Sequence, residues 1–170
     1  MIPTDARVIP TDAGVIVIVM GVSGCGKSAV GALLAQRLGV EFLDADEFHP
    51  PGNVAKMAAG VPLDDEDRRP WLERLNTELR KRNDAVLACS ALKESHRAIL
   101  AKGTDCRFVH LRGSIELIRS RLQQRRHRYM PASLLESQFA ALEPPARAIE
   151  VDVAEAPEDC VEAIAAALRR

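Results

Sequence analysis

The sequence lacks a large excess of either charge: 23 Lys and Arg against 24 Asp and Glu leave a net charge of −1. No global basic field is there to draw in nucleic acid. Aromatic residues are scarce, at one Trp, one Tyr and four Phe, and only Tyr129 accompanies the densest arginine stretch. A base-stacking ladder is therefore missing where a nucleic-acid patch would want one. The four cysteines, Cys25, Cys89, Cys106 and Cys160, form no C-x-x-C pair and are scattered among apolar segments. That disfavours a zinc site or a disulfide framework and suits reduced core thiols in a cytoplasmic protein. No apolar run approaches the ~18 residues of a membrane span, so no membrane is expected as a partner. The first residues do not follow the basic-then-apolar order of a signal peptide. A chain of 170 residues is expected to form one domain with a substantial core.

Against these absences stands one complete motif. Gly21-Val22-Ser23-Gly24-Cys25-Gly26-Lys27-Ser28 reads G-x-x-x-x-G-K-S, a phosphate-binding loop. Glycines let the backbone fold into a nest of N–H groups around an anion. Lys27 can then reach the β- and γ-phosphates of ATP, and the Ser28 hydroxyl suits Mg²⁺. The context fits: Val15 to Met20 is an unbroken apolar stretch that reads as a buried parallel strand. After the loop, Val30, Leu33, Leu34 and Leu38 mark one helix face, and Gly39 supplies a stop.

The remaining chain alternates in the same way. Residues 1–13 carry a short direct repeat, Ile2-Pro3-Thr4-Asp5-Ala6 and Ile9-Pro10-Thr11-Asp12-Ala13, and read as a loose tail. Glu41 to Leu43 reads as a second strand that delivers Asp44 and Asp46 to its carboxyl end, the edge where open α/β sheets bind ligands. The two carboxylates can serve Mg²⁺ and an attacking hydroxyl, or belong to a solvated turn or helix cap. His49 follows in a turn-rich stretch, as a loop-packing residue or a substrate contact, and a short helix is expected over 54–59. Acidic residues at 64–67 suit a helix start, Pro70 suits an early helical position, and Leu72, Leu75 and Leu79 form the buried face. Arg68 stands out because a guanidinium can clamp a carboxylate with two prongs.

Further strands are expected at Val86–Cys89, Arg107–Leu111 and Ile149–Val153, each with a helix after it. Ser114 is placed to cap the helix before the arginine cluster, and Ser133 with Glu136 fits a capping box. The cluster itself, Arg119 to Arg128, reads either as a nucleic-acid patch or as a mobile lid over triphosphate. Five strands alternating with helices predict one α/β domain, a parallel sheet covered on both faces, over residues 14–170.

These motifs together resemble the small P-loop gluconokinases. The resemblance rests on Met20–Ser28, Leu43-Asp44-Ala45-Asp46-Glu47-Phe48-His49-Pro50, Lys56-Met57, Pro62 to Leu72, Cys89-Ser90-Ala91-Leu92-Lys93, and Ser137-Gln138-Phe139 with Leu142-Glu143-Pro144. It implies ATP-dependent phosphorylation of D-gluconate at its 6-hydroxyl and a nucleoside- or shikimate-kinase-like P-loop fold. It also implies sheet order 2-3-1-4-5, a lid at about 119–133, and a homodimer in many members. Carried onto this chain, Gly21, Val22, Ser23, Gly24, Cys25, Gly26, Lys27 and Ser28 hold ATP. Ser28 and Asp44 serve Mg²⁺, and Asp46 is the candidate base. His49, Arg68 and Lys93 surround the sugar acid, and Arg121 and Arg125 meet the phosphates. The chain departs from the family at Cys25, where serine is usual, and in the lid, where Arg125-Arg126-His127-Arg128-Tyr129 replaces Arg-x-Gly-His-Phe. A shikimate kinase would share the loop and the Asp-x-Asp, but should carry three glycines where this chain has Ser90-Ala91-Leu92. A non-catalytic nucleotide- or nucleic-acid-binding module is the other alternative.

Overall fold

The computed structural model describes residues 14–124 and 132–169. The repeated tail and the segment from Arg125 to Pro131 lie outside the described residues. Elements alternate as the periodicity predicts: β1 (Ile16–Met20), α1 (Lys27–Leu38), β2 (Phe42–Asp44), a 3-10 turn (Ala45–Phe48), α2 (Pro51–Ala58), α3 (Asp65–Arg80), β3 (Ala85–Ala88), α4 (Glu94–Ala101), β4 (Cys106–Arg112), α5 (Ile115–Gln124), α6 (Ala132–Ala141), β5 (Ile149–Asp152) and α7 (Pro157–Leu168). All four strand pairings are parallel, in the order β2-β3-β1-β4-β5. That is the order the resemblance implied.

The sheet is buried on both faces, and the alternation along β1 sorts its residues between two cores. Val17 and Val19 pack with Val30, Leu34 and Leu38 of α1 and Val161 and Ile164 of α7. Ile16, Ile18 and Met20 pack with Trp71, Leu72, Leu75 and Leu79 of α3 and Leu100 of α4. Burying one such aliphatic side chain is worth ~1.5–3 kcal/mol, so the two layers fix where β1 ends and where the loop after it begins. Asn76, buried in α3, donates to the Leu100 and Lys102 carbonyls, both at 2.8 Å, and ties the second layer together.

Helix ends follow their local chemistry. Gly39, at φ 70°, closes α1, as a left-handed glycine cap does. Asp64 and Asp67 form a reciprocal capping box at the start of α3. The Ser114 hydroxyl accepts from the Leu117 N–H at 3.1 Å. Three expectations shift. α2 starts at Pro51, earlier than 54, because a proline suits the first helical position, where its missing N–H costs nothing. Pro70 stands at the sixth position of α3, so the exposed Glu66 carbonyl loses its intrahelical donor. Ser133 lies inside α6, which begins at Ala132.

Candidate active site

The carboxyl end of β1 opens directly into the glycine-rich loop. Gly24 (φ 82°) and Gly26 (φ 97°) are left-handed, a conformation that favours glycine. A Cβ on Gly26 would meet nothing within 4 Å, whereas one on Gly24 would strike Leu122 of α5 at 2.7 Å. The loop is thus packed behind and open in front. Cys25 is fully buried, its Sγ 2.7 Å from where a Gly21 Cβ would stand, so the thiol faces inward. No acidic residue occupies the first turn of α1, which leaves its positive end for an anion. The Lys27 ammonium donates to the Val22 carbonyl at 2.9 Å.

One carboxylate joins this loop to the next strand. Asp44, at the end of β2, accepts from the Ser28 hydroxyl at 2.9 Å and from the Asp46 N–H at 3.0 Å. Asp44 therefore caps the 3-10 turn and touches the loop as well. The Asp46 carboxylate is left exposed. Trp71 secures the turn from behind, donating from Nε1 to the Ala45 carbonyl at 2.8 Å. Among the described residues no cluster of three or more His, Cys, Asp or Glu is placed to hold a metal. The Ser28–Asp44 oxygen pair is nevertheless the donor type Mg²⁺ takes, since that ion keeps most of its shell as water and substrate phosphate.

Beside Asp46 the structure places His49, which also lies within reach of the Arg68 charge. The His49 ring is 3 % exposed, with Nε2 3.9 Å from Asp46 Oδ1. It stacks on Trp71 at 4.0 Å and 16°. Burial pushes its pKa below the usual histidine range, against the pull of Asp46. Arg68 is half-buried. Burial lowers its pKa, opposed mainly by Asp65, Asp64 and Asp67. Its charge is felt at both His49 and His96, yet among the described residues no carboxylate lies within 4.0 Å of its nitrogens. Lys93 is tied down: its ammonium meets both Asp65 oxygens at 3.2 and 3.3 Å. Asp65 also binds His96 Nε2 at 3.1 Å, and these two partners, His96 first, hold its carboxyl below the ordinary range. Cys89 sits at the end of β3 with its thiol pushed up to about 12, chiefly by burial. It stays protonated and is no nucleophile.

Arg121 is brought to the phosphate loop. With Gly24 and Gly26 it lines a cavity of about 290 Å³, closed on the far side by Val153, Glu155 and Pro157 after β5. Arg119 reaches Glu136 of α6 at 3.5 Å. Arg125 and the His127-Arg128-Tyr129 departure lie outside the described residues.

Four residues emerge that sequence reasoning passed over. Gln138 of α6 accepts from the Ser23 N–H at 2.7 Å and donates to the Ser23 hydroxyl at 2.8 Å. Arg97, buried, donates to the Ala91, Leu92 and Glu143 carbonyls. It braces the turn after β3, where Ala91 holds φ 43°. Asn53 donates to the Asp67 carbonyl at 3.0 Å and meets His49 Nδ1 at 3.2 Å. Trp71 enters the sequence reading only as part of the Pro62 to Leu72 block, with no role of its own. The one signal for Gln138 was its place in the Ser137-Gln138-Phe139 block, and nothing local ties it to residue 23.

Comparison with known proteins narrows the chemistry. A family model described as shikimate kinase matches residues 23–154. The thermosensitive gluconokinase of Escherichia coli (strain K12) is 44% identical over 167 residues, spanning 91% of this chain and 89% of that protein. The crystal structure of a gluconokinase from Sinorhizobium meliloti 1021 superposes with TM-score 0.87 at 41% identity, covering 96% of this chain and 94% of that one. A shikimate kinase from Bacteroides thetaiotaomicron reaches TM-score 0.67 at 17% identity, over 92% and 99% of the two chains. That last likeness is one of fold.

Proposed function

The chain belongs to the gluconokinase family, on the shikimate-kinase-like P-loop fold, and from that premise we propose how its residues carry a phosphoryl group from ATP to the 6-hydroxyl of D-gluconate. The observation that carries the proposal is the linked set Ser28–Asp44–Asp46. It runs from the phosphate loop to an exposed carboxylate beside His49, and His49 also feels the charge of Arg68, a half-buried guanidinium that has no carboxylate partner among the described residues. An enzyme for a hydroxy acid needs those three things in that order: a phosphate cradle, a proton acceptor, and a cation for the acid group.

Phosphoryl transfer asks for in-line positioning and neutralised phosphate charge. The backbone of residues 21–28 cradles the phosphates, and Lys27 swings from the Val22 carbonyl to the β- and γ-phosphates. The cavity behind Arg121, walled by Val153 and Pro157, takes the base. Ser28 and Asp44 are the residues that would hold Mg²⁺, which when bound neutralises phosphate charge. Arg68 pairs with the gluconate carboxylate, and Lys93 and His49 flank the sugar. Asp46 accepts the 6-hydroxyl proton as its oxygen bonds to phosphorus. Arg121 and Arg125 are the cations assigned to the transferring phosphoryl group.

Release of ADP, coupled to a dehydrogenase readout and measured across sugar acids, tests this proposal. Gluconate should be turned over well, and shikimate and glucose poorly. Equal turnover of shikimate would refute the assignment of Arg68 and Asp46 to a sugar acid. A homodimer is the assembly we propose, to be checked by light scattering on the full chain. A cytoplasmic location is in keeping with free thiols at Cys25, Cys89, Cys106 and Cys160. No helix among the described residues is long and apolar enough to cross a membrane.

A further inference from the structure

Asn53 sits in the first turn of α2 with 5% of its surface exposed. Its side-chain amide has one neighbour whose chemistry is unambiguous: the Asp67 carbonyl oxygen, 3.0 Å away. A carbonyl oxygen only accepts, so the Asn53 atom facing it is the NH₂ nitrogen, and the orientation of the amide is settled by chemistry. The same nitrogen lies 3.2 Å from His49 Nδ1. One of its hydrogens serves Asp67 and the other points to the ring. A ring nitrogen that receives a hydrogen bond carries a lone pair and no proton. A neutral imidazole with bare Nδ1 carries its proton on Nε2, the ring atom that lies 3.9 Å from Asp46 Oδ1. The stack on Trp71 holds the ring plane, and Trp71 is itself anchored to Ala45.

The distance of 3.9 Å is too long for a direct hydrogen bond. It suits a hydroxyl oxygen seated between the two groups, because two bonds of about 2.8 Å close a triangle on that base. We propose that Asn53 is a positioning residue that fixes His49 as the Nε2–H tautomer, so that His49 and Asp46 form a donor–acceptor pair for one substrate hydroxyl. The Nε2–H donates to the hydroxyl oxygen, and Asp46 accepts the hydroxyl hydrogen. One lone pair of that oxygen is then occupied by His49 and the other is left to attack phosphorus. The new O–P bond forms, the bond from phosphorus to the β–γ bridging oxygen breaks, ADP leaves, and the proton rests on Asp46. His49 gives up nothing. With the opposite tautomer, two acceptors would face one hydroxyl, and no donor would orient it. The hydroxyl's role rests on the functional proposal above, whereas the tautomer rests on Asn53 and Asp67 alone.

Nitrogen-15 NMR of the histidine rings in the full chain without ligand reads the tautomer directly, with the His49 signals assigned by their absence in His49→Phe. The expected spectrum shows a protonated Nε2 and a bare Nδ1. A protonated Nδ1, or a doubly protonated ring at pH 7.5, would overturn the proposal. Asn53→Asp replaces the donor with an acceptor and should draw the proton to Nδ1. It should lower kcat about tenfold, the rate equivalent of one ordinary hydrogen bond, with the KM for ATP unchanged. Native kcat in a variant whose tautomer has switched would overturn the positioning role. If Asn53→Asp does not fold, His49→Gln and His49→Phe carry the same test. Gln keeps an N–H near the Nε2 position and should retain several-fold more kcat than Phe, and equal losses would overturn the donor role. A native protein inactive on gluconate would refute the functional proposal alone, because the tautomer is read without turnover.

Discussion

Replacing Arg68 with lysine keeps the positive charge and removes the planar fork. The structure sets the magnitude. Arg68 is half-buried, its pKa is lowered by burial, and among the described residues it has no carboxylate within 4.0 Å. A gluconate carboxylate bound there would receive two parallel charge-assisted hydrogen bonds. Lysine supplies one of them. A hydrogen bond to a charged group contributes ~1.5–3 kcal/mol, and each ~1.4 kcal/mol is tenfold. Water at this half-exposed site offsets part of the loss, so the lower end applies and the KM for gluconate should rise about tenfold. The KM for ATP should stay within about twofold, because that site belongs to the loop and to uniform binding elsewhere. Initial rates of ADP release, with each substrate varied at saturation of the other, separate the two constants. An unchanged gluconate KM would refute the pairing of Arg68 with the acid group, as would equal use of glucose, which has no carboxylate.

Lys27→Ala should abolish transfer while leaving the melting temperature near native, since among the described residues the Lys27 ammonium hydrogen-bonds only the Val22 carbonyl; native turnover would remove the loop from the chemistry. Asp46→Asn should lower kcat by ~10²–10⁴-fold, the usual contribution of a general base, toward the lower end because a loose transition state needs its proton removed late. Asp44→Asn should instead lose activity that added Mg²⁺ partly restores, and the reverse pattern would exchange the two roles. Gln138→Leu removes both bonds to Ser23 and should raise the KM for ATP about fivefold, the equivalent of roughly one hydrogen bond. An unchanged ATP KM would leave Gln138 a packing residue. Leu75→Ala, at a site with 0% exposure, should cost ~2–5 kcal/mol in urea unfolding with KM values unmoved. A smaller cost would mean that the α3 layer collapses to fill the gap.

Legibility followed sequence separation. The phosphate loop was readable because its chemistry is contiguous: glycines at 21, 24 and 26, then Lys27 and Ser28, between a buried strand and an amphipathic helix. The first strand was readable from its unbroken apolar run, but which face each residue takes was not, because Ile16, Ile18 and Met20 are as apolar as Val17 and Val19 and only the packed layers sort them. Strand order was not, because β1 pairs with β3 and β4 through contacts more than sixty residues away, and no local pattern encodes that choice. The start of α2 was missed because Pro50-Pro51-Gly52-Asn53 has turn composition, which hides both the helix-starting proline and the bond that Asn53 makes to Asp67. Gln138 and Ser23 are 115 residues apart, and Trp71 reaches Ala45 across 26. Such partners have no spacing rule, so a braced site appears in sequence as isolated polar or aromatic residues. Lys93 was singled out by the resemblance as a sugar contact, but its ion pair with Asp65 left no signal in the sequence.

The central claim is that the γ-phosphoryl group of ATP goes to the 6-hydroxyl of gluconate. Phosphorus-31 and carbon-13 NMR of the product, made from carbon-13-labelled gluconate and the full chain, tests it most directly. The account predicts one phosphate ester, with phosphorus coupling at C6 and C5 and none at C2 or C3. A phosphate on another hydroxyl, or ADP release with no phosphorylated sugar acid, would contradict it.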